Sequence, residues 1–276
     1  MGFYSPSQLV QDVRRHGVEV RAPDVAVSGW ECTLEETGRN AQPALRLGLC
    51  LVKGLSEAGG KRVAAARQGA PFAGVDDLVR RAQLNPRDSE ALAAAGALAS
   101  LSGHRRRAVW DVAGIERLPE VLERSAIAEA PAILASPSEG EDIVADYASL
   151  GLSLGRHPLA LLRTRLARQG MATAAELKSL PHGRTARFTG IVTGRQRPGT
   201  ASGVTFVTLE DETGMVNVIV WNDLAERQRK ELLRSSLLSV YGTLEREGEV
   251  MHLIAARLRD QTALLGRLAT RSRDFR

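Results

Sequence analysis

Two hydrophobic periods run along this chain, and the change from one to the other falls near Thr185. Before it, apolar residues recur every three to four positions, as on one face of a helix; after it, they alternate, as on a half-buried strand. Ser7 to His16 puts Leu9, Val10 and Val13 on one helical face and stops at Gly17, and the strand-like run VEVRAPDVAVS follows. From Ala44 to Arg107 the pattern reads as short helices punctuated by glycine. Leu45 to Val52 predicts a helix that stops at Lys53-Gly54-Leu55-Ser56, and Glu57 to Arg67 predicts a second that turns Ala58, Val63 and Ala66 toward the first. Val75 to Ala82, a turn at Leu84-Asn85-Pro86, and Asp88 to Gly96 make another such pair, closed by the basic run His104 to Arg107. Ala130 to Gly140 is rich in Ala, Ser, Pro and Glu and predicts a linker, after which Asp142 to Gly170 is helical again.

Beyond Thr185, five runs alternate: ARFTGIVTGR, VTFVTLED, MVNVIVW, LLSVYGTLER and VMHLIAAR. One helix, Leu224 to Leu233, is expected between the third and fourth, opened by Asp223 with Glu226 in capping-box spacing. Five strands with a helix in that place predict an OB-fold, a small Greek-key barrel. The expected fold class is therefore α+β and multidomain, a helical helix-hairpin-helix module followed by a five-stranded OB-fold β-barrel. The expected boundaries are 1–35 for the end of a preceding region, 36–129 for the tandem helix-hairpin-helix module and 130–141 for the linker. A helical connector at 142–184, the barrel at 185–260 and a tail at 261–276 complete the reading. Leu264, Leu265 and Leu268 fall on one helical face of that tail, either against a partner or over the open end of the barrel.

Composition narrows the function. With 276 residues, 43% hydrophobic and 25% charged, the chain reads as a globular protein of about two modules. It has no apolar run of membrane-spanning length and its first residues have no apolar signal core, so a cytoplasmic location without membrane contact is expected. Lys plus Arg number 37 against 32 acidic residues, a formal charge of +5, and most of the cations are arginine, which tilts the partner toward a polyanion. Cys32 and Cys50 form no CxxC, and the five histidines show no metal-ligand spacing, so no metal, cofactor or catalytic residue is expected in this chain.

The candidate chemistry is binding. A glycine-containing hairpin between helices leaves backbone N–H groups and the positive helix end facing outward, which suits a DNA phosphate. Lys53, Gly54, Leu55 and Ser56, with Lys61 and Arg62 nearby, fit that role, although an ordinary αα-hairpin with surface lysines has the same pattern. Arg105, Arg106 and Arg107 form either a phosphate patch or a solvated helix face. On the barrel, Arg195 and Arg197 of the first loop, Phe206 on the second strand and Trp221 at the end of the third are the residue types that hold a nucleic-acid strand. Phe206 is open to two readings, a stacking ring or a core side chain. Glu210, Asp211 and Glu212 could attract a cation or cap a turn before Thr213-Gly214.

These segments resemble the C-terminal part of the bacterial C-family DNA polymerases, the family of the polymerase III alpha subunit, and within it the error-prone, damage-inducible branch. LRLGLCLVKGLSEAGGKRVAAAR is similar to its helix-hairpin-helix segment, DYASLGLSLGRHPLALLR to the passage leading into its OB-fold, and GIVTGRQRPGTASGVTFVTLEDETGMVNVIVW with the tail SRDFR to its error-prone members. MGFYSPSQLVQDVRRHGVEV resembles the end of the fingers region. The resemblance implies DNA as partner, either primer-template or single-stranded template. It also implies that the palm aspartates and their magnesium belong upstream of the matched region, so that polymerisation by this chain alone is not expected. Where replicative members carry a Gln-to-aromatic clamp peptide, this chain has ILASPSEGED, which argues against direct sliding-clamp binding; the branch implies recruitment by a Y-family-like accessory protein. The alternatives are a self-standing OB protein for single-stranded nucleic acid or tRNA, and a protein-docking adaptor.

Overall fold

The computed structural model describes residues 6–38, 42–115, 134–198, 203–248, 250–268 and 273–275, and the chain divides into two units between Gly155 and Arg156. The first unit opens with α1 (Pro6–Arg15) and a small sheet of β1 (Val20–Arg21), β2 (Thr33–Glu35) and β3 (Ala44–Arg46), in the order β1-β3-β2. Then come α2 (Glu57–Gly69), α3 (Val75–Arg81), α4 (Pro86–Ala94), α5 (Ala99–Ser102), α6 (Arg105–Ala113) and α7 (Glu139–Ser149). Their apolar faces meet around Val25, Leu47, Leu49, Val63, Leu78, Leu92 and Leu98.

The helix expected over Leu45 to Val52 is instead the strand β3 and a single 3-10 turn, Leu49–Leu51. Leucines at 45, 47, 49 and 51 satisfy a period of two as well as a helical one, and tertiary pairing decides between them. The amides of Leu45 and Leu47 donate to Glu19 O and Arg21 O at 2.8 and 2.9 Å, and are therefore unavailable to a helix. At Gly48 a Cβ would overlap the Trp30 carbonyl, so the chain passes this point only as glycine.

The expected connector over 142–184 is divided between the units. α7 begins at Glu139 with a full capping box, Ser138 Oγ accepting from the Glu141 amide and the Glu141 carboxylate accepting from the Ser138 amide. It belongs to the first unit because Arg105 donates to both Asp142 and Asp146 on its outer turns, and Lys53 Nζ donates to the carbonyls of Tyr147 and Ala148 at 2.9 and 3.1 Å. Of the expected linker, residues 130–133 lie outside the described residues.

The second unit begins with α8 (Pro158–Arg168) and α9 (Ala174–Ser179) and continues into β4 (Thr185–Gln196), β5 (Thr205–Asp211) and β6 (Gly214–Val220). Next are α10 (Asn222–Arg227), α11 (Arg229–Arg234), β7 (Leu237–Glu247), β8 (Val250–Asp260) and β9 (Arg273–Phe275). The sheet order β5-β6-β8-β7-β4, closed by pairing of β5 with β4, makes a five-stranded barrel in which β6 and β8 run parallel. β9 adds alongside Gly194 to Gln196 of β4. Alternate residues point inward: Phe188, Val192, Val207, Leu209, Val216, Val218, Val240, Leu244 and Leu253 fill the barrel. This is the OB-fold expected from the alternation.

Two details differ from the sequence reading. The single helix over Leu224 to Leu233 is two, because Gln228 leaves helical geometry and pairs with the β8 backbone, Nε2 donating to Leu258 O and Oε1 accepting from Leu258 N, both at 2.8 Å. Asp223 accordingly lies inside α10, whose N-cap is Trp221 and has no side-chain cap bond. In the tail, Leu265 is buried with Leu159, Leu166, Met171, Ile191 and Leu237, so this face packs on its own unit; the Leu268 side chain lies outside the described residues.

His157 caps α8, its Nδ1 accepting from the Leu159 amide at 3.2 Å, which requires a neutral ring. Burial pushes its pKa down to about 4, against the opposing pull of Glu212 and Asp211. A group neutral in the fold and basic when unfolded stabilises the fold above its unfolded pKa, and that contribution falls away as pH drops from about 6.5 toward 4, at no more than about 1.4 kcal/mol per pH unit. Urea unfolding midpoints across this window should fall with acid in the native chain and stay flatter in His157→Asn; equal slopes would refute the assignment.

Candidate nucleic-acid interface

The helical hairpin is built around one buried carboxylate. Gly54 takes a φ of +90°, which turns the chain into Ser56, and the Ser56 hydroxyl caps α2 by accepting from the Gly59 amide at 3.0 Å. The Ser56 amide and hydroxyl both donate to Asp88 at 2.8 Å, and Asn85 Nδ2 donates to the same carboxylate at 3.0 Å. Asp88 is 1% exposed, so it joins the two helical hairpins from inside. The first-turn amides that α2 itself cannot bond, at Glu57 and Ala58, are on exposed residues, the arrangement that suits a phosphate.

The cations expected beside them are distributed differently. Lys61 is exposed and pairs with Glu57 one turn earlier. Lys53 is committed to the last carbonyls of α7, and Arg62 donates to Ala82 O and Gln83 O at the end of α3. Leu55 is a core side chain. Arg105, Arg106 and Arg107 are a structural clamp instead of an open phosphate patch: Arg105 holds Asp142 and Asp146, Arg106 pairs with Glu141, and Arg107 pairs with Asp111. The sequence carried a signal for this, since acidic residues at 141, 142 and 146 follow at helical spacing, but their partners are 35 to 41 residues away.

On the barrel, the outward face of β5, β6 and β8 is defined by register. Phe206 stands opposite Ile219, and Ile219 opposite Ile254; one row along, Thr208, Asn217 and His252 line up in the same way. Phe206 is half-buried while its neighbours Val207 and Leu209 fill the barrel, so the ring points outward. Trp221, 55% exposed, follows directly after β6. Arg197 Nη2 donates to Asn222 Oδ1 at 3.1 Å, bringing the first loop beside Trp221. Arg197, Phe206 and Trp221 thus converge at one end of β5 and β6. The sequence reading missed Ile219, Ile254, Asn217 and His252, which register alone could have placed. His252 Nδ1 is buried without a hydrogen-bond partner among the described residues.

Arg195 does not join this group. It is 6% exposed, and its Nε donates to Leu232 O at 2.6 Å while Nη2 donates to Ser235 O, which neutralises the carbonyl end of α11. A β-bulge between Val192 and Gly194 turns it inward. Among the acidic residues, Asp211 accepts from the Thr213 amide and hydroxyl, from the Gly214 amide and from the Ala174 amide at 2.8 to 3.0 Å, and Glu212 pairs with Arg163. No cluster that could hold a metal occurs among the described residues.

The comparisons with known proteins agree with the helical module and the barrel. Residues 17–108 match the model of a helix-hairpin-helix motif, and residues 186–260 match an OB-fold nucleic acid binding domain. Over its whole length the chain is 57% identical to an error-prone DNA polymerase of an Azoarcus species, 55% to that of Alkalilimnicola ehrlichii and 54% to that of Pseudomonas aeruginosa. The chain matches the C-terminal region of the error-prone DNA polymerases. It covers 26 to 27% of the length of these three relatives. Among the described residues, no helix is long and apolar enough to cross a membrane.

Proposed function

We propose that this chain is the DNA-binding C-terminal region of an error-prone polymerase acting in translesion synthesis in the cytoplasm. The observation that carries the reading is the outward row Phe206, Ile219 and Ile254 with Trp221 and Arg197 at its end, an aromatic and apolar surface edged by hydrogen-bonding groups. Single-stranded bases stack on such a surface without regard to sequence, because every base has a π-face. A polymerase that copies damaged template benefits from a grip that does not read the bases. The α2 N-terminus would bind a phosphate through the Glu57 and Ala58 amides, with Lys61 an exposed cation one turn along the helix. Arg195, Lys53 and Arg62 act instead as structural residues that keep these surfaces in place.

Base stacking on one aromatic contributes about 1 to 3 kcal/mol by alanine substitution, so Phe206→Ala should weaken binding of a labelled oligothymidine roughly 5- to 150-fold. Because no charge is removed, the slope of log affinity against log salt should stay unchanged. Fluorescence anisotropy at several salt concentrations checks both, and unaltered affinity in a folded variant would refute the stacking role.

Recruitment is assigned to an accessory protein of the Y-family type. Ala132 to Asp142 has no aromatic side chain to fill a hydrophobic pocket on a sliding clamp, and such anchors carry much of a peptide's affinity. Size-exclusion co-elution should give no complex between this chain and a purified clamp; a stable complex would overturn that assignment.

A further inference from the structure

Arginine is the main cation of this chain, and most of the arginines described above hold a carboxylate or the carbonyl end of a helix. Among the described residues of the barrel strands, three arginines do neither. Across the outer face of β4, β7 and β8, Arg187 stands opposite Tyr241 and Tyr241 opposite Arg257, with Arg259 two residues further along β8. Both flanking guanidiniums lie over the Tyr241 ring, each 5.7 Å from its centre. All three arginines are exposed, and none forms a salt bridge among the described residues. Asp260, next to Arg259 in the chain, is bound to Thr262 and lies in the field of Lys230; Glu245 lies further along β7, opposite His252.

The basic character continues onto the neighbouring helices. Gln228 is locked to the Leu258 backbone, so Arg227 and Arg229 on either side of it start beside Arg257 and Arg259. Arg229, Lys230, Leu233 and Arg234 line an open depression of about 490 Å³. By contrast, the described part of the β5-β6-β8 row has Arg197 at its edge and no other exposed Arg or Lys. The cations and the stacking surface are thus on adjoining but different faces, both reached from β8.

We infer that the β4-β7-β8 face is a second nucleic-acid contact, one that takes the phosphodiester backbone through Arg187, Arg257 and Arg259. Tyr241 holds two of the guanidiniums in place by cation–π contact, which lowers the ordering cost of meeting phosphates. The strand would cross β8, its bases on Phe206 and Ile219 and its phosphates on the arginines beyond. This rests on the DNA-binding reading above.

The test uses the full chain, a labelled oligothymidine and a range of salt concentrations. Arg187→Gln/Arg257→Gln/Arg259→Gln should lower affinity at least about tenfold at low salt and reduce the salt slope by about 2, that is, about 0.7 for each phosphate released from a single strand. Each single substitution should reduce the slope by about 0.7, which decides the matter if the triple variant unfolds. Native binding that responds to Phe206→Ala but keeps its affinity and slope in the arginine variants overturns this inference alone; absence of binding by the native chain overturns the DNA-binding reading and this one with it. Tighter binding of a polyglutamate peptide than of the oligonucleotide, lost in the triple variant, would assign the face to an acidic protein and refute the claim.

Discussion

Asp211→Ala is expected to destabilise the barrel unit by about 4 kcal/mol, the largest single-residue effect we foresee. Its side chain is fully buried, and one oxygen accepts three bonds from Thr213 and Gly214 while the other accepts from the Ala174 amide and from Arg163. Removing it takes the acceptor from the Thr213, Gly214 and Ala174 amides and leaves Arg163 paired with Glu212. The β5-β6 turn and the start of α9 lose their common anchor. Asp211→Asn keeps one acceptor oxygen but points an amide at other donors, so it should fall between the two. Urea unfolding of the chain checks this, and a loss below about 1 kcal/mol would contradict the burial argument. Because the carboxylate is occupied by donors, added magnesium or manganese should not shift the unfolding midpoint.

Arg195→Met should cost about 3 kcal/mol, with little change in DNA affinity per folded molecule. The aliphatic part of the side chain is replaced by a stem of similar thickness, but the carbonyls of Leu232 and Ser235 lose donors in a buried site. The end of α11 should loosen first, visible as faster amide exchange in Leu232 to Ser235 than in the barrel strands. The outcome that would return Arg195 to the DNA interface is the reverse one: unchanged stability with reduced affinity and a shallower salt slope. This pair of readouts separates Arg195 from Arg187, Arg257 and Arg259, whose exposed guanidiniums should affect binding and leave stability nearly untouched.

The fate of the basic residues shows where sequence reasoning stops. Arg105 to Arg107 and Arg195 look alike in the sequence to Arg257 and Arg259, all of them arginines next to strand or helix patterns. The first four are held by acids or carbonyls, several of them 37 to 41 residues away in the chain, and the last two have no such partner among the described residues. Coulomb attraction depends on distance in space, and nothing local in the sequence reports it. Lys53 lies in the hairpin that the sequence marks, yet its charge serves the end of α7, 94 residues on.

What the sequence by itself determined is the architecture that alternation and punctuation encode. The change of period near Thr185, the five strands and the helical insertion between the third and fourth follow from side chains that point to opposite faces of a strand, a constraint each residue carries locally. Tertiary structure decided the rest: that the leucines from 45 to 51 pair as strand and turn, that Gln228 breaks a helix to reach β8, that Phe206 faces out while Arg195 faces in, and which cations stay free. Each of these depends on a hydrogen-bond or charge partner brought close only by folding, and the free energy of burying a polar group without such a partner is what selects among the local alternatives.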